Sequence, residues 1–213
     1  MIHSTSSDKA SKDHPHYDVT MDIDAKLIND LKEKNDMEAF TMLMKKYKKP
    51  VLNFCFRYCG NMQDAEDISQ DVFIKVFKNI SSFRRESKFT TWLYRLTMNT
   101  CHNFKRHYSA ERMDRMVSIA EKDERESYDS LEVKDQKPDP ENELLNKELA
   151  EVIDGMICRL NKKQRSVIIL KDFQGKSYEE IAEIMKMKPG TVKSALSRGR
   201  LQVAMKIKEY YES

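Results

Sequence analysis

The stretch Lys176-Ser177-Tyr178-Glu179-Glu180-Ile181-Ala182-Glu183-Ile184-Met185-Lys186-Met187-Lys188-Pro189-Gly190-Thr191-Val192-Lys193-Ser194-Ala195-Leu196-Ser197-Arg198-Gly199-Arg200 reads as two helices with a tight turn between them. Ser177 and Glu180 form an S-x-x-E capping box, in which each side chain satisfies a backbone N–H that the first helical turn leaves open. Tyr178, Ile181, Ala182 and Met185 recur at helical spacing and give the first helix one apolar face. Pro189 suits the first turn of the second helix, where its missing N–H would be unpaired anyway. Val192, Ala195, Leu196 and Val203 form an inward seam on that helix. Thr191, Lys193, Ser194, Ser197, Arg198 and Arg200 lie off the seam. Cations and hydroxyls there are what a major-groove reader needs. A plain helical pair with a solvated basic face would show the same pattern, so both readings stay open on this stretch.

Working outward, 213 residues allow one large or two small domains. With 5 Gly and 5 Pro against many Leu, Met, Lys and Glu, turn residues are scarce and the composition predicts an all-α protein. No apolar run is long enough to span a bilayer, and the N-terminus has no apolar signal core. Cys55, Cys59, Cys101 and Cys158 are scattered without a C-x-x-C, which fits a reducing cytoplasm and no disulfide framework. Cys55 and Cys59, four apart, could share a metal but read better as packing thiols.

The net charge of +3 hides a partition. Residues 1–23 carry 2 basic and 4 acidic groups, and residues 24–107 carry 16 and 10. Residues 108–143 carry 6 and 12, and residues 144–213 carry 14 and 9. Two basic blocks flanking an acidic one suggest two polyanion-binding domains and a linker that avoids the polyanion.

Residues 1–23 read as a disordered tail, whose His3, His14 and His16 are taken as solvated. From Asp24 the pattern turns helical, with Leu27, Ile28 and Leu31 in a short first helix. Asp36 is a plausible N-cap for the next helix, where Phe40, Leu43, Tyr47, Val51, Phe54 and Tyr58 alternate by three and four. Pro50 should kink or divide it. A third helix starts near Asp64 and turns Ile68, Val72, Val76 and Ile80 inward. Asp64, Glu66, Asp67, Gln70 and Asp71 crowd its first turns, where the helix dipole favours anions. Three readings of this acid cluster compete: dipole complementarity, a divalent-metal site and a docking face for a basic partner. No histidine supports the metal.

Phe83, Arg84, Lys88 and Phe89 fall in a loop over Ser82–Phe89. A helix follows with Leu93, Leu96, Thr100 and Phe104 inward, leaving Trp92, Arg95, Asn99, Asn103 and Arg106 to point elsewhere. Aromatics interleaved with Arg, Lys and Asn suit single-stranded DNA, since rings stack on bases at ~1–3 kcal/mol each and cations follow phosphates. Trp92 and Phe89 as core residues is the competing reading. Residues 108–143 read as a flexible acidic linker. Asp139-Pro140-Glu141 and Asn161-Lys162-Lys163-Gln164 each look like a helix start. Leu145, Leu149, Val152, Ile153, Met156, Ile157 and Leu160 mark the amphipathic helix between them, and Val167, Ile168, Leu170 and Phe173 continue into another.

The order is specific: D-A-E-D-x-x-Q-D-V-F at 64–73, S-F-R at 82–84, T-W-L-Y-R-L-T-x-N-T-x-x-N at 91–103, then S-Y-E-E-I-A-E-I-M at 177–185 and G-T-V-K-S at 190–194. It resembles an extracytoplasmic-function sigma factor of the sigma-70 family, over roughly residues 24–107 and 144–210. The resemblance implies a promoter-melting domain 2 at 24–107 and a promoter-reading domain 4 at 144–213. It implies that Asp64, Glu66, Asp67, Gln70 and Asp71 dock on the clamp helices of the polymerase β′ subunit. The loop Ser82–Phe89 would capture an unpaired −10 base, with Asn99 and Asn103 on the melting helix. Domain 4 would touch the β flap and bind the −35 element, and the acidic linker could thread the RNA-exit path. An anti-sigma factor is a fair expectation. No P-loop occurs, so melting would draw on binding energy, as base flipping does.

Two departures stand out against the family pattern. Lys186 occupies the helix-turn-helix turn where Gly is frequent, at a cost of ~1 kcal/mol if that residue is left-handed. Ala195 stands where a basic residue is frequent, removing a potential DNA contact, and Gly199 stands in place of Ala. The rival function is a helix-turn-helix regulator that binds duplex DNA without polymerase. An enzyme is a distant third, for want of a nucleophile–base pair or phosphate loop. No cofactor and no metal are expected, and no membrane insertion.

Overall fold

The computed structural model describes residues 23–115 and 140–212, and among them every regular element is helical. The tail histidines and residues 116–139 of the expected linker lie outside the described residues.

Asp24 opens α1 (Ile23–Lys34) and is almost fully buried. It accepts a hydrogen bond from Lys46 Nζ at 2.6 Å and another from the Tyr47 hydroxyl, pinning α1 to α2 (Met37–Cys59). Asp36 caps α2 as expected, accepting from the backbone N–H of Glu38 at 2.8 Å and of Ala39 at 3.3 Å. Pro50 does not divide α2, which runs through it. Tyr47, Val51, Phe54 and Tyr58 are all buried along one face, so burial holds together a helix that proline alone would break. Gly60, at φ 79°, closes α2 in the left-handed region. Asn61 then caps α3 (Met62–Asn79), accepting from Asp64 N at 2.9 Å. A 3₁₀ turn (Ile80–Ser82) leads through a loop into α4 (Phe89–Arg115). That helix outruns the expected boundary at 107, so residues 108–115 are helix rather than flexible linker.

The second bundle holds α5 (Pro140–Arg159), α6 (Lys162–Ile168), a π-helical turn (Ile169–Phe173), α7 (Tyr178–Met185) and α8 (Pro189–Glu212). Asn161 caps α6 through Gln164 N at 3.0 Å. Gly199 is buried where α8 crosses α6. A Cβ there would come within 2.8 Å of Ile168 Cδ1 and 3.3 Å of Gln164 Cβ, so its small size serves close helix packing.

The bundles are not merely tethered. Their buried residues form one continuous core, in which α2 meets α5 and the π-helical turn, and α4 meets α7. Arg165 lies at the joint, 3% exposed. Its guanidinium donates to the carbonyls of Ile157 (3.2 Å), Leu160 (2.8 Å) and Cys158 at the end of α5, and of Tyr58 (3.0 Å) at the end of α2. Two helix C-termini, each carrying partial negative charge, thus share one buried cation. The four cysteines gather at the same joint: Cys55 and Cys101 pack with their Sγ atoms 3.9 Å apart, and Cys158 sits against the end of α2. All four are free thiols, in keeping with a packing role.

Candidate nucleic-acid interface

The capping box of α7 is complete: Glu180 N donates to Ser177 Oγ at 3.1 Å, and Ser177 N to Glu180 Oε2 at 2.9 Å. Ile181, Ala182 and Ile184 are buried. The turn does hold Lys186 in the left-handed region, at φ 52° and ψ 50°. Met187 N closes back on Ala182 O at 2.9 Å, the six-to-one bond of a helix end that usually employs glycine. Lysine therefore bears the strain and the turn keeps its geometry.

On α8, Val192, Ala195 and Leu196 are buried, and Lys193, Ser197, Arg198 and Arg200 are exposed. Thr191 and Ser194 are half-buried at the head of the helix, where Ser194 Oγ donates to Thr191 O at 3.1 Å. Ala195 is 1% exposed, which corrects the expectation that it costs a DNA contact: the position faces the core. Arg200 is paired with Asp172 through Nε at 3.2 Å and a second contact, which raises its pKa further. Lys193 reaches over the Tyr178 ring at 5.5 Å. Arg198 is the exposed cation at the middle of this face.

The loop before α4 is braced from α1. Lys32 Nζ donates to Phe83 O at 2.9 Å, and the Arg85 guanidinium donates to Ala25 O at 3.1 Å and to Asn29. Arg85 itself is left-handed, at φ 59°. Phe83 and Phe89 are buried and interlock with half-buried Trp92, at centroid distances of 5.4 to 5.9 Å. The sequence reading offered these rings to a DNA base; the fold uses the two phenylalanines as the floor on which Trp92 and the loop rest. Arg84 and Lys88 are exposed on the loop, and Asn99 and Asn103 are exposed on α4. Arg95 is not presented with them. It donates to Glu183 O at 2.8 Å and Ile184 O at 3.2 Å, at the end of α7.

On α3, Glu66, Asp67, Gln70 and Asp71 are exposed, while Asp64 is half-buried in the capped first turn. The same exposed face continues into Ile74 and Phe77, 50% and 36% exposed, with Phe40 packed on Phe77 at 5.1 Å. Sequence reasoning missed these two, although the signal was there: both are apolar yet fall off the inward stripe of Ile68, Val72 and Val76. It also missed Lys32 and Arg85, whose bracing role depends on contacts over 50 residues away. Between α3 and α4 lies an open groove of about 300 Å³, lined by Asp71, Lys75, Thr100, Asn103 and Phe104. Lys75 Nζ donates to Thr100 Oγ1 at 3.2 Å in it. Among the described residues no group of three His, Cys, Asp or Glu is placed to hold a metal, and no helix is long and apolar enough to cross a membrane.

Residues 43–111 match Sigma-70 region 2, and residues 150–203 match Sigma-70, region 4. The ECF RNA polymerase sigma-E factor of Haemophilus influenzae is 35% identical over 82% of this chain and 90% of its own length. The RNA polymerase sigma-H factor of Pseudomonas aeruginosa is 31% identical over 85% and 92%. Among solved structures, CnrH in complex with the cytosolic domain of CnrY superposes with a TM-score of 0.62 at 16% identity, over 88% of this chain and 99% of that one. RpoE from Bartonella quintana, in complex with the anti-sigma factor NepR, gives 0.59 at 24% identity, over 79% and 96%. With both sigma regions matched in order and relatives above 30% identity along nine tenths of their length, the chain belongs to the sigma-70 family, as an extracytoplasmic-function (ECF) RNA polymerase sigma factor.

Proposed function

We propose that this sigma factor docks on the β′ clamp helices of core RNA polymerase through the exposed face of α3, melts the −10 region with α4 and its preceding loop, and reads the −35 element with α8. One observation carries the reading: Asp71 on the docking face and Asn103 on the melting face line the same groove. Polymerase binding and strand capture then share an edge, so docking would place the strand beside α4. In this scheme Arg84, Lys88, Asn99 and Asn103 meet the separated strand, half-buried Trp92 stacks on a base, and Phe83 and Phe89 support it from the core side. Unstacking costs a few kcal/mol per base, which stacking and phosphate contacts of similar size offset. Thr191, Lys193, Ser194, Ser197, Arg198 and Arg200 would meet the −35 duplex, and the second bundle would touch the β flap.

The protein would act in the cytoplasm, without catalytic residues of its own and without a cofactor. The solved complexes with CnrY and NepR support an anti-sigma factor as a further partner. The test is permanganate footprinting and run-off transcription with core polymerase on a promoter library. Reactive thymines near −10 and transcripts only when protein and core are combined would support the proposal. Duplex binding by the protein alone, with no response to core and no melting, would sink it in favour of a stand-alone regulator.

A further inference from the structure

Arg84 and Arg85 are neighbours in the loop before α4, and the fold uses them in opposite ways. Arg84 is exposed and makes no side-chain bond among the described residues. Arg85 turns its guanidinium back onto α1, where the single nitrogen Nη2 donates to Ala25 O at 3.1 Å and to Asn29 Oδ1. Ala25 and Asn29 stand four residues apart, one above the other on the same helix face. Arg85 also holds a left-handed backbone, φ 59°, a region where glycine is the default and an L side chain is strained. Strain of this kind persists only where surrounding contacts over-determine it, and it gathers at sites that must keep one shape.

The loop has such a need. Phe83 and Phe89 are buried with ring centroids 5.9 Å apart, so residues 84–88 arch outward from a closed base. Lys32 Nζ fixes one side of that base through Phe83 O at 2.9 Å, and the Tyr47 ring fixes the other by packing on Phe89 at 5.5 Å. Within the arch, Arg84, Glu86 and Lys88 are exposed, and among the described residues only Arg85 bonds its side chain to another element. An untethered arch would have to be ordered when a strand arrives, and that lost entropy would be subtracted from the affinity. The helix that holds Arg85 carries none of the candidate DNA or polymerase contacts, so its part in strand capture is indirect.

We infer that Arg85 is a positioning residue for −10 strand capture. By tethering the arch to Ala25 and Asn29 it holds Arg84 and Lys88 ready for the strand's phosphates, and it does not itself touch the strand. This role rests on the −10 reading of the loop given above.

The test uses holoenzyme assembled from core polymerase and the full-length protein. The probe is a forked duplex whose labelled single-stranded arm has randomised sequence. Fluorescence anisotropy gives the affinity for the arms that the wild type enriches, and its salt dependence reports phosphate contacts. Arg85→Gly keeps the left-handed backbone without strain and removes the guanidinium. Asn29→Ala removes an acceptor 56 residues away without changing the charge. Unchanged ellipticity and unchanged affinity for core polymerase confirm that each variant is folded. The expected result is a loss of about fivefold for Arg85→Gly and about twofold for Asn29→Ala. The double variant should be no weaker than Arg85→Gly alone, because both changes break one interaction. The slope of log affinity against log salt should stay at the wild-type value in Asn29→Ala, whereas Arg84→Ala should lower it by about 0.7, the value for one phosphate on a single strand. A loss from Arg85→Gly with that same drop in slope, and none from Asn29→Ala, makes Arg85 a direct phosphate contact and overturns the proposal. Wild-type affinity in Arg85→Gly overturns it too, while a loss in Arg84→Ala and Asn103→Ala keeps the −10 reading intact. If Arg84→Ala, Lys88→Ala and Asn103→Ala also bind as the wild type does, the −10 reading of the loop fails instead, and the positioning role with it.

Discussion

Lys186 holds a backbone conformation that L-residues adopt at a cost of ~1–2 kcal/mol, and it does so at the one point where the helix-turn-helix must bend. Lys186→Gly is expected to raise stability by about 1 kcal/mol, or roughly 2–4 °C in melting temperature for a chain of this size, read by thermal unfolding. Ser177→Ala acts in the opposite sense, since it removes half of the capping box; a loss of about 1 kcal/mol is expected. Arg198 is exposed and central on the basic face of α8. Arg198→Ala should weaken binding to a −35 duplex by about 1–3 kcal/mol while leaving affinity for core polymerase unchanged. Equal losses in both assays would move Arg198 out of the DNA contact set.

At the scale of elements, α3 combines a carboxylate-rich start with an apolar end on one exposed face. Glu66, Asp67, Gln70 and Asp71 supply charge, and Ile74 and Phe77 supply area that desolvation rewards. Asp67→Lys should lower affinity for core polymerase at least tenfold, about 1.4 kcal/mol, in a fluorescence titration. Strand binding by the free protein should stay as it was. Phe77→Ser tests the apolar half: a loss at high salt as large as at low salt would separate it from the screened contribution of the acids. The neighbouring α4 shows how an element divides its labour. Leu93, Met98 and Cys101 fill the core, Asn99 and Asn103 face outward, and Arg95 turns to the other bundle.

At the scale of the molecule, the joint between bundles is stabilised by Arg165 and carries a pH dependence through His102. Burial lowers the pKa of His102, and Lys162 and Arg165 from the second bundle lower it further. Its Nε2 is buried without a hydrogen-bond partner, and its ring packs against Tyr58 at 5.5 Å. The folded state thus prefers the neutral imidazole, whereas the unfolded chain takes up a proton near the ordinary value of 6.5. Unfolding is then favoured as pH falls below that value, so the histidine's contribution is intact above it and is lost toward the lowered folded pKa. Between pH 7.5 and 5.5 the wild-type melting temperature should fall more steeply than that of His102→Phe, whose carboxylates titrate alike. Parallel slopes would remove His102 from the joint's pH response.

Local chemistry determined much of this protein directly. The capping box at Ser177, the caps at Asp36 and Asn161, the proline start of α8 and the helical periodicities were legible because each rests on neighbours within one or two turns. The order of motifs likewise carried the family. What only the tertiary structure decided depends on residues far apart in sequence. Phe83 and Phe89 became core because α1 and α2 cover them, Arg95 turned away from the loop because the end of α7 lies against α4, and α2 survived Pro50 because its flanks are buried. The chain predicted two tethered domains, since an acidic linker marks a boundary but says nothing of the surfaces it joins. That those surfaces meet, and that Arg95 and Arg165 bridge them, follows from side-chain geometry summed over some hundred intervening residues, which no local pattern encodes.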